Sequence, residues 1–335
     1  MTTKRRRRRR PPSSETSRPA PETPVPVEGD GRQTKERPAR SGLLFGSLLR
    51  GAGIPSPFPG IVASIGRGLV TVGSSPTLLI IPLALVLIIW LGLIAVGLQG
   101  SAARLVDLFA LPPISTQYDL GTAQSIFGLS GGFPLFLLGS LVVRSAVMGA
   151  MTGMIVEELE GGNAGVYGAV RGLRAAHIVL AVNLISVGVI IAGNVILPAL
   201  GPGIGFLGFV ALLVGGLFFL VFAPVAQIRE RRGLQETVRR GGRAAMLPGG
   251  RHMLICALYF LIALPLMLGL APGGNLTTAN PSLALWIYVL VCNYLHLAFI
   301  AAFAYRWMVV EPVVPEQPVR RRREPLSARG GRPRR

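Results

Sequence analysis

An arginine inside an apolar stretch is the first residue of this chain that could do chemistry. Arg144 sits near the middle of FPLFLLGSLVVRSAVMGAMTGMIVEEL. A charge at mid-membrane depth costs about 2.5–3.5 kcal/mol on insertion scales, and such residues mark ligand, ion or proton paths by default. No acid lies inside any long apolar run, so no buried ion-pair partner is evident. Its expected contacts are therefore backbone carbonyls, water, a bound anion, or Asn183, Asn194, Asn293 and His296 of later runs, unless the helix shifts so that Arg144 snorkels towards an interface. His296, close to Asn293 and Cys292, could relay a proton or hydrogen-bond a neighbouring helix.

A second set of arginines comes in pairs. RGLRAA runs from Arg171 to Ala176, and RGGRAA from Arg240 to Ala245, sixty-nine positions later. Arg171 and Arg174 are three apart and share a helix face, as do Arg240 and Arg243. Forked guanidinium groups match phosphate oxygens. Arg171, Arg174, Arg239, Arg240 and Arg243 are thus the expected contacts to anionic phospholipid headgroups. Glu157, Glu158 and Glu160 are placed to neutralise the first pair. The second loop sets seven arginines against Glu230 and Glu236, a net +5, which favours the second pair as the lipid contact.

The elements that must carry these residues are membrane helices. Half of the 335 residues are hydrophobic, yet the net charge is +19. A soluble nucleic-acid binder would not be this apolar, whereas a multi-pass membrane protein with basic aqueous ends would. Six stretches approach the roughly 20 residues that span a bilayer core. They are Leu78–Leu98, Phe133–Val156, Ile178–Leu197, Ile204–Ala226, Met253–Leu270 and Leu283–Met308. Runs this long exclude strands, so the expected fold is an all-α, polytopic bundle of six transmembrane helices over residues 77–310. Basic residues set its direction: 32 fall on the side of both termini and Arg104 alone on the other. That bias places both termini in the cytoplasm. Trp286 and Tyr288 then mark the outer interface of the last helix, and Tyr305 and Trp307 the inner one.

Residues 1–42 and 311–335 read as disordered basic tails. The first holds 12 basic and 5 acidic residues, the second 8 and 3, so the tails supply +12 of the net charge. Residues 43–76, apolar but punctuated by Gly, Pro, Arg50 and Arg67, read as interfacial segments lying in the membrane plane. SAARLVDLFALPP reads as a short amphipathic helix on the outer surface.

Aligned at an offset of 69, the two arginine pairs close equivalent units: a helix down, an elbow, and a helix up. This is a parallel internal repeat of helix pairs. The elbow pattern, a glycine-bearing turn and small residues, then arginines before the next span, resembles a group of six-helix bacterial membrane proteins. That group includes the membrane domain attached to some glycerophosphodiester phosphodiesterases. The likeness covers about Pro76 to Met308 and implies a six-helix membrane domain without catalysis, because no phosphodiesterase domain accompanies it.

Enzyme chemistry finds little footing. GLSGG at Gly128–Gly132 resembles the GxSG of rhomboid-type proteases, but Ser130 precedes the wrong span and no motif surrounds His296. The three aspartates, Asp30, Asp107 and Asp119, are scattered, and there is no Walker motif. Cys256 and Cys292 lack metal or disulfide spacing. No cofactor is expected. The tails contain no aromatics between arginines, so no specific nucleic-acid partner is expected either. Two readings follow. One is a non-enzymatic scaffold, assembly or regulatory protein of a bacterial cytoplasmic membrane, contacting anionic lipid and a membrane-protein partner. The other is a transporter or channel for a small or lipid-like solute, using Arg144.

Overall fold

A computed structural model of the chain describes residues 56–95, 109–127, 133–249, 251–267 and 283–315. Most of both expected tails, the segment SAARLVDL, the GLSGG motif and the loop at 271–282 lie outside the described residues.

Among the described residues the chain forms only helices. They are α1 (Ile61–Ser74), α2 (Thr77–Ala95), α3 (Ile114–Phe127), α4 (Phe133–Leu159), α5 (Val166–Leu173), α6 (Ala176–Ile196), α7 (Pro202–Leu220), α8 (Ala223–Glu230), α9 (Leu234–Ala245), α10 (Arg251–Met267) and α11 (Leu283–Val310). Four stretches are long and apolar enough to cross a membrane: Pro134–Leu159, Ala176–Leu200, Pro202–Glu230 and Trp286–Val313. A fifth is added if α1 and α2, bent by 73° at their junction, are one broken span. The helix α10 is apolar but shorter. Continuous apolar sequence explains these elements: with no water to compete, a backbone in hydrocarbon must satisfy its own hydrogen bonds.

The core collects where α11 meets the rest. Trp307, Phe303, Phe222, Phe58 and Tyr259 are fully or almost fully buried there. The Trp307 indole packs 5.5 Å from the Phe222 ring. His252 is also interior, stacked on Phe222 at 4.4 Å and on Phe58 at 5.3 Å.

The segment expected to lie in the membrane plane is partly drawn into the bundle. One face of α1 (Ser64, Gly68, Thr71, Val72) is buried. At Gly68 the backbones of α1 and α11 approach so closely that a side chain would collide with Ala298. Arg306 of α11 donates to the Pro59 carbonyl at 2.9 Å and to Ser64 Oγ at 3.1 Å. Its guanidinium also lies over the Phe58 ring, 4.6 Å from the centroid.

Both elbows fold back on the helix before them. Gly172 of α5 lies on the backbone of Gly149 and Gly153 in α4. Gly241 of α9, sixty-nine positions later, lies on Phe222 and Ala223 at the start of α8. The exits differ. After α4 the chain turns through Gly161 at φ 86°, whereas after α8 the left-handed residue is Arg231 at φ 53°. An L-residue in that region costs about 1–2 kcal/mol that glycine avoids. The expected C-terminal tail begins inside this end: Glu311–Val313 form a 3-10 turn and Val314 is buried.

Candidate functional site

The helix α3 is too short to cross a bilayer: 14 residues rise about 21 Å. Its approach, Phe109 to Pro113, is nonetheless buried, as are Ile114, Ser115, Thr116 and Asp119. The FALPP part of the expected surface helix is therefore interior. Two residues fasten it. The Leu111 N–H donates to the Tyr259 hydroxyl of α10 at 2.7 Å. That hydroxyl in turn meets His296 Nδ1 of α11 at 3.2 Å.

This insertion supplies what the sequence denied to Arg144. Asp119 Oδ1 lies 2.8 Å from Arg144 Nη2, and both side chains are about nine-tenths buried. The expectation that Arg144 has no ion-pair partner is thus corrected. The acid comes from outside the apolar runs, on a half-length helix folded against α4. Asn183 does not reach Arg144: its Nδ2 donates to Ser145 Oγ at 2.8 Å, tying α6 to α4. His296 lies within electrostatic range of Arg144. Asn293 is buried one turn from His296.

Several buried polar atoms stay unsatisfied: Arg144 Nη1, Asp119 Oδ2, Ser115 Oγ, Asn183 Oδ1, His296 Nε2 and both polar atoms of the Asn293 amide have no hydrogen-bond partner among the described residues. Such atoms each cost about 1–3 kcal/mol when nothing else bonds them. Polar atoms left over around a buried ion pair offer donors and acceptors to a solute. Among the described residues no group of three or more metal-ligating side chains occurs.

The arginine-rich end behaves differently. Arg171 Nη1 meets Glu160 at 2.6 Å and Glu157 at 3.3 Å. The Glu160 hydrogen bond raises the Arg171 guanidinium above its ordinary pKa. Arg229 bridges Glu160 at 2.6 Å and Glu311 at 2.7 Å. Arg240 is buried, 2.9 Å from Glu230 and 3.2 Å from the Glu311 carbonyl. Arg243 reaches the Pro315 carbonyl at 3.1 Å. Arg229, Arg240 and Arg243 of the second elbow thus turn inward to acids and carbonyls, among them Glu160 and Glu311, which the local count left out. Arg239 stays exposed, and so does Arg174.

Sequence reasoning missed Asp119, Tyr259 and Arg231. For Asp119 a signal existed. An arginine in an apolar span demands a counter-charge, and the adjoining loop contains only Asp107 and Asp119 as acids. Nothing in the chain marks Tyr259 or Arg231 before folding.

No family model, no curated protein and no solved structure matches this chain. Its resemblance to six-helix bacterial membrane domains therefore rests on the elbow pattern alone.

Proposed function

We propose that this is a six-span membrane protein with both termini in the cytoplasm, built from a duplicated helix pair, that carries a small polar solute through its interior. Arg144 and Asp119 are the solute contacts. The observation supporting this reading is the buried Arg144–Asp119 pair, held by a half-length helix, with Arg144 Nη1 and Asp119 Oδ2 left without a partner among the described residues. The reasoning is energetic. A buried pair is seldom a net gain in stability over apolar residues of equal volume, so its retention calls for use. A solute bearing both an acidic group and an amine or hydroxyl could part the pair while leaving neither charge bare. In this reading α3 is re-entrant, and its insertion from the outer side closes the solute path. The matched seats of Gly172 and Gly241 support the duplication, and the arginine bias supports the orientation.

The test is osmotic swelling of proteoliposomes holding the full chain, in iso-osmotic glycine, proline, glycerol and glycerol phosphate. At least one solute should enter faster than into protein-free liposomes. Arg144→Leu/Asp119→Leu should abolish that excess, and Arg144→Lys should keep part of it. Equal, full flux in Arg144→Leu and Arg144→Lys would sink the reading. The scaffold reading keeps one observation in its favour, the +12 carried by the tails. It requires that tail-deleted protein lose membrane partners while leaving swelling unchanged.

A further inference from the structure

Between the first elbow and the end of α8 lies a cleft of about 180 Å³ lined by Arg171, Arg174, Ala175, Gln227, Ile228 and Arg231. Three of its six lining residues are arginines and none is an acid. Arg171 is already committed, through Glu157, Glu160 and the Ile228 carbonyl. Among the described residues Arg174 and Arg231 have no acidic partner, and both are exposed. The cleft is smaller than the roughly 300 Å³ at which drug-sized ligands begin, a size that suits a headgroup.

Two further features point the same way. Arg231 occupies the left-handed position that glycine fills in the other elbow, so the chain keeps a side chain where its backbone would be easier without one. The apolar residues Val166, Val170 and Leu173 of α5 are exposed along one stripe. At 100° per residue, Arg174 and Arg171 flank that stripe on a single side. Guanidinium groups next to a bare apolar stripe fit a molecule with an anionic phosphate and an oily remainder.

We propose that this cleft binds a phosphate monoester or diester, with Arg174 and Arg231 as its two free ligands and the α5 stripe receiving acyl chains when the source is a phospholipid. The site is separate from the Arg144–Asp119 cluster and does not depend on it. It also moves the expected lipid contact from Arg239, Arg240 and Arg243 to a cleft shared by the two elbows, with Arg174 from the first and Arg231 from the second.

The test uses the full chain in nanodiscs of equal phosphatidylglycerol and phosphatidylcholine, with co-released lipid counted by native mass spectrometry. The wild type should retain phosphatidylglycerol in preference. Arg174→Gln should lower that retention about fivefold, the worth of one basic residue at a lipid surface. Arg231→Gly should lower it similarly while raising the melting temperature, because glycine accepts the turn. That pairing of lost lipid with gained stability is one a merely structural Arg231 would not produce. A second arm adds glycerol phosphate. If it displaces the retained lipid and stabilises wild type but not Arg174→Gln/Arg231→Gly, the phosphate site stands and its natural occupant is a soluble ester. Equal retention of the two lipids by the wild type, with no response to glycerol phosphate, overturns the proposal. So does undiminished retention by the double variant.

Discussion

Two sets of charges in this molecule obey opposite rules. At the arginine-rich end, Glu160 serves both Arg171 and Arg229, Glu311 serves Arg229, and Glu230 serves Arg240, so acids and bases interlock across elements far apart in sequence. In the interior, the Arg144–Asp119 pair keeps one nitrogen and one oxygen that nothing among the described residues satisfies, and further buried polar atoms of the bundle share that lack. The first arrangement is what cohesion needs. Its links through Glu160 and Glu311 sit partly exposed, where desolvation is small and each is worth at most about 1 kcal/mol, while the Arg240–Glu230 link is as buried as the interior pair but is tied further to the Glu311 carbonyl. The second sits where desolvation is severe, and cohesion would be served better by leucines. Charge that is closed upon itself reads as structure; charge left half-answered in a dry place reads as a site.

That contrast can be broken most forcefully at Asp119. Asp119→Ala leaves the Arg144 guanidinium buried and alone, which should destabilise the fold by about 3–5 kcal/mol. Arg144→Leu/Asp119→Leu should melt within a few degrees of the wild type. Thermal unfolding in detergent of the wild type, Asp119→Leu, Arg144→Leu and the double variant gives the coupling directly, and additive losses would contradict an interacting pair. Next comes the packing of the elbows. Gly172→Val forces a side chain against the Gly149 and Gly153 backbone and should cost about 1–3 kcal/mol. Gly241→Ala, at 3.3 Å from the Ala223 nitrogen, meets a milder approach and should cost less. An equal or reversed order would show that the two elbows are not seated as described. Tyr259→Phe strands the Leu111 N–H and His296 Nδ1, for a loss of about 1–2 kcal/mol. It should also raise the protease sensitivity of the 109–127 segment. The smallest effect belongs to the interlocked end. Glu160→Gln should lower stability by about 0.5–1 kcal/mol. Raising salt should shrink that difference, because partly exposed pairs are screened, whereas the effect of Asp119→Ala should persist.

The helical class and four of the six expected spans were legible because hydrophobicity is a local property, whereas the first expected span meets the required length only together with α1 across a 73° bend, and the fifth, α10, is shorter. Each stretch from Phe133, Ile178 and Ile204 states its own length, and α4, α6 and α7 follow within a few residues. The interior site was half legible. Arg144 announces itself by cost, and its placement in a polar cluster could be expected. Asp119 could not be found by hydropathy, since ISTQYDLGTAQSIF is too short and too polar to register as membrane sequence. Its burial depends on contacts with α4, α6 and α10, which exist only once those helices meet. The elbows misled for the same reason. A count of charges within one loop cannot include Glu160 and Glu311, which reach Arg229 from 69 and 82 residues away.

The close seat of α1 on α11 has a consequence for manufacture. Arg306 grips Pro59 and Ser64 across more than 240 residues of chain, and Tyr294 donates to the Leu69 carbonyl across 225. Of the described helices a ribosome delivers α1 first and α11 last. During that interval the close seat at Gly68 stays empty, so the newborn bundle stays open like an unclasped bracelet until α11 arrives. Quality-control machinery that recognises an unclaimed helix face therefore has nearly the whole of synthesis in which to act, and a chain cut short before Leu283 would carry its defect at the beginning as well as at the end.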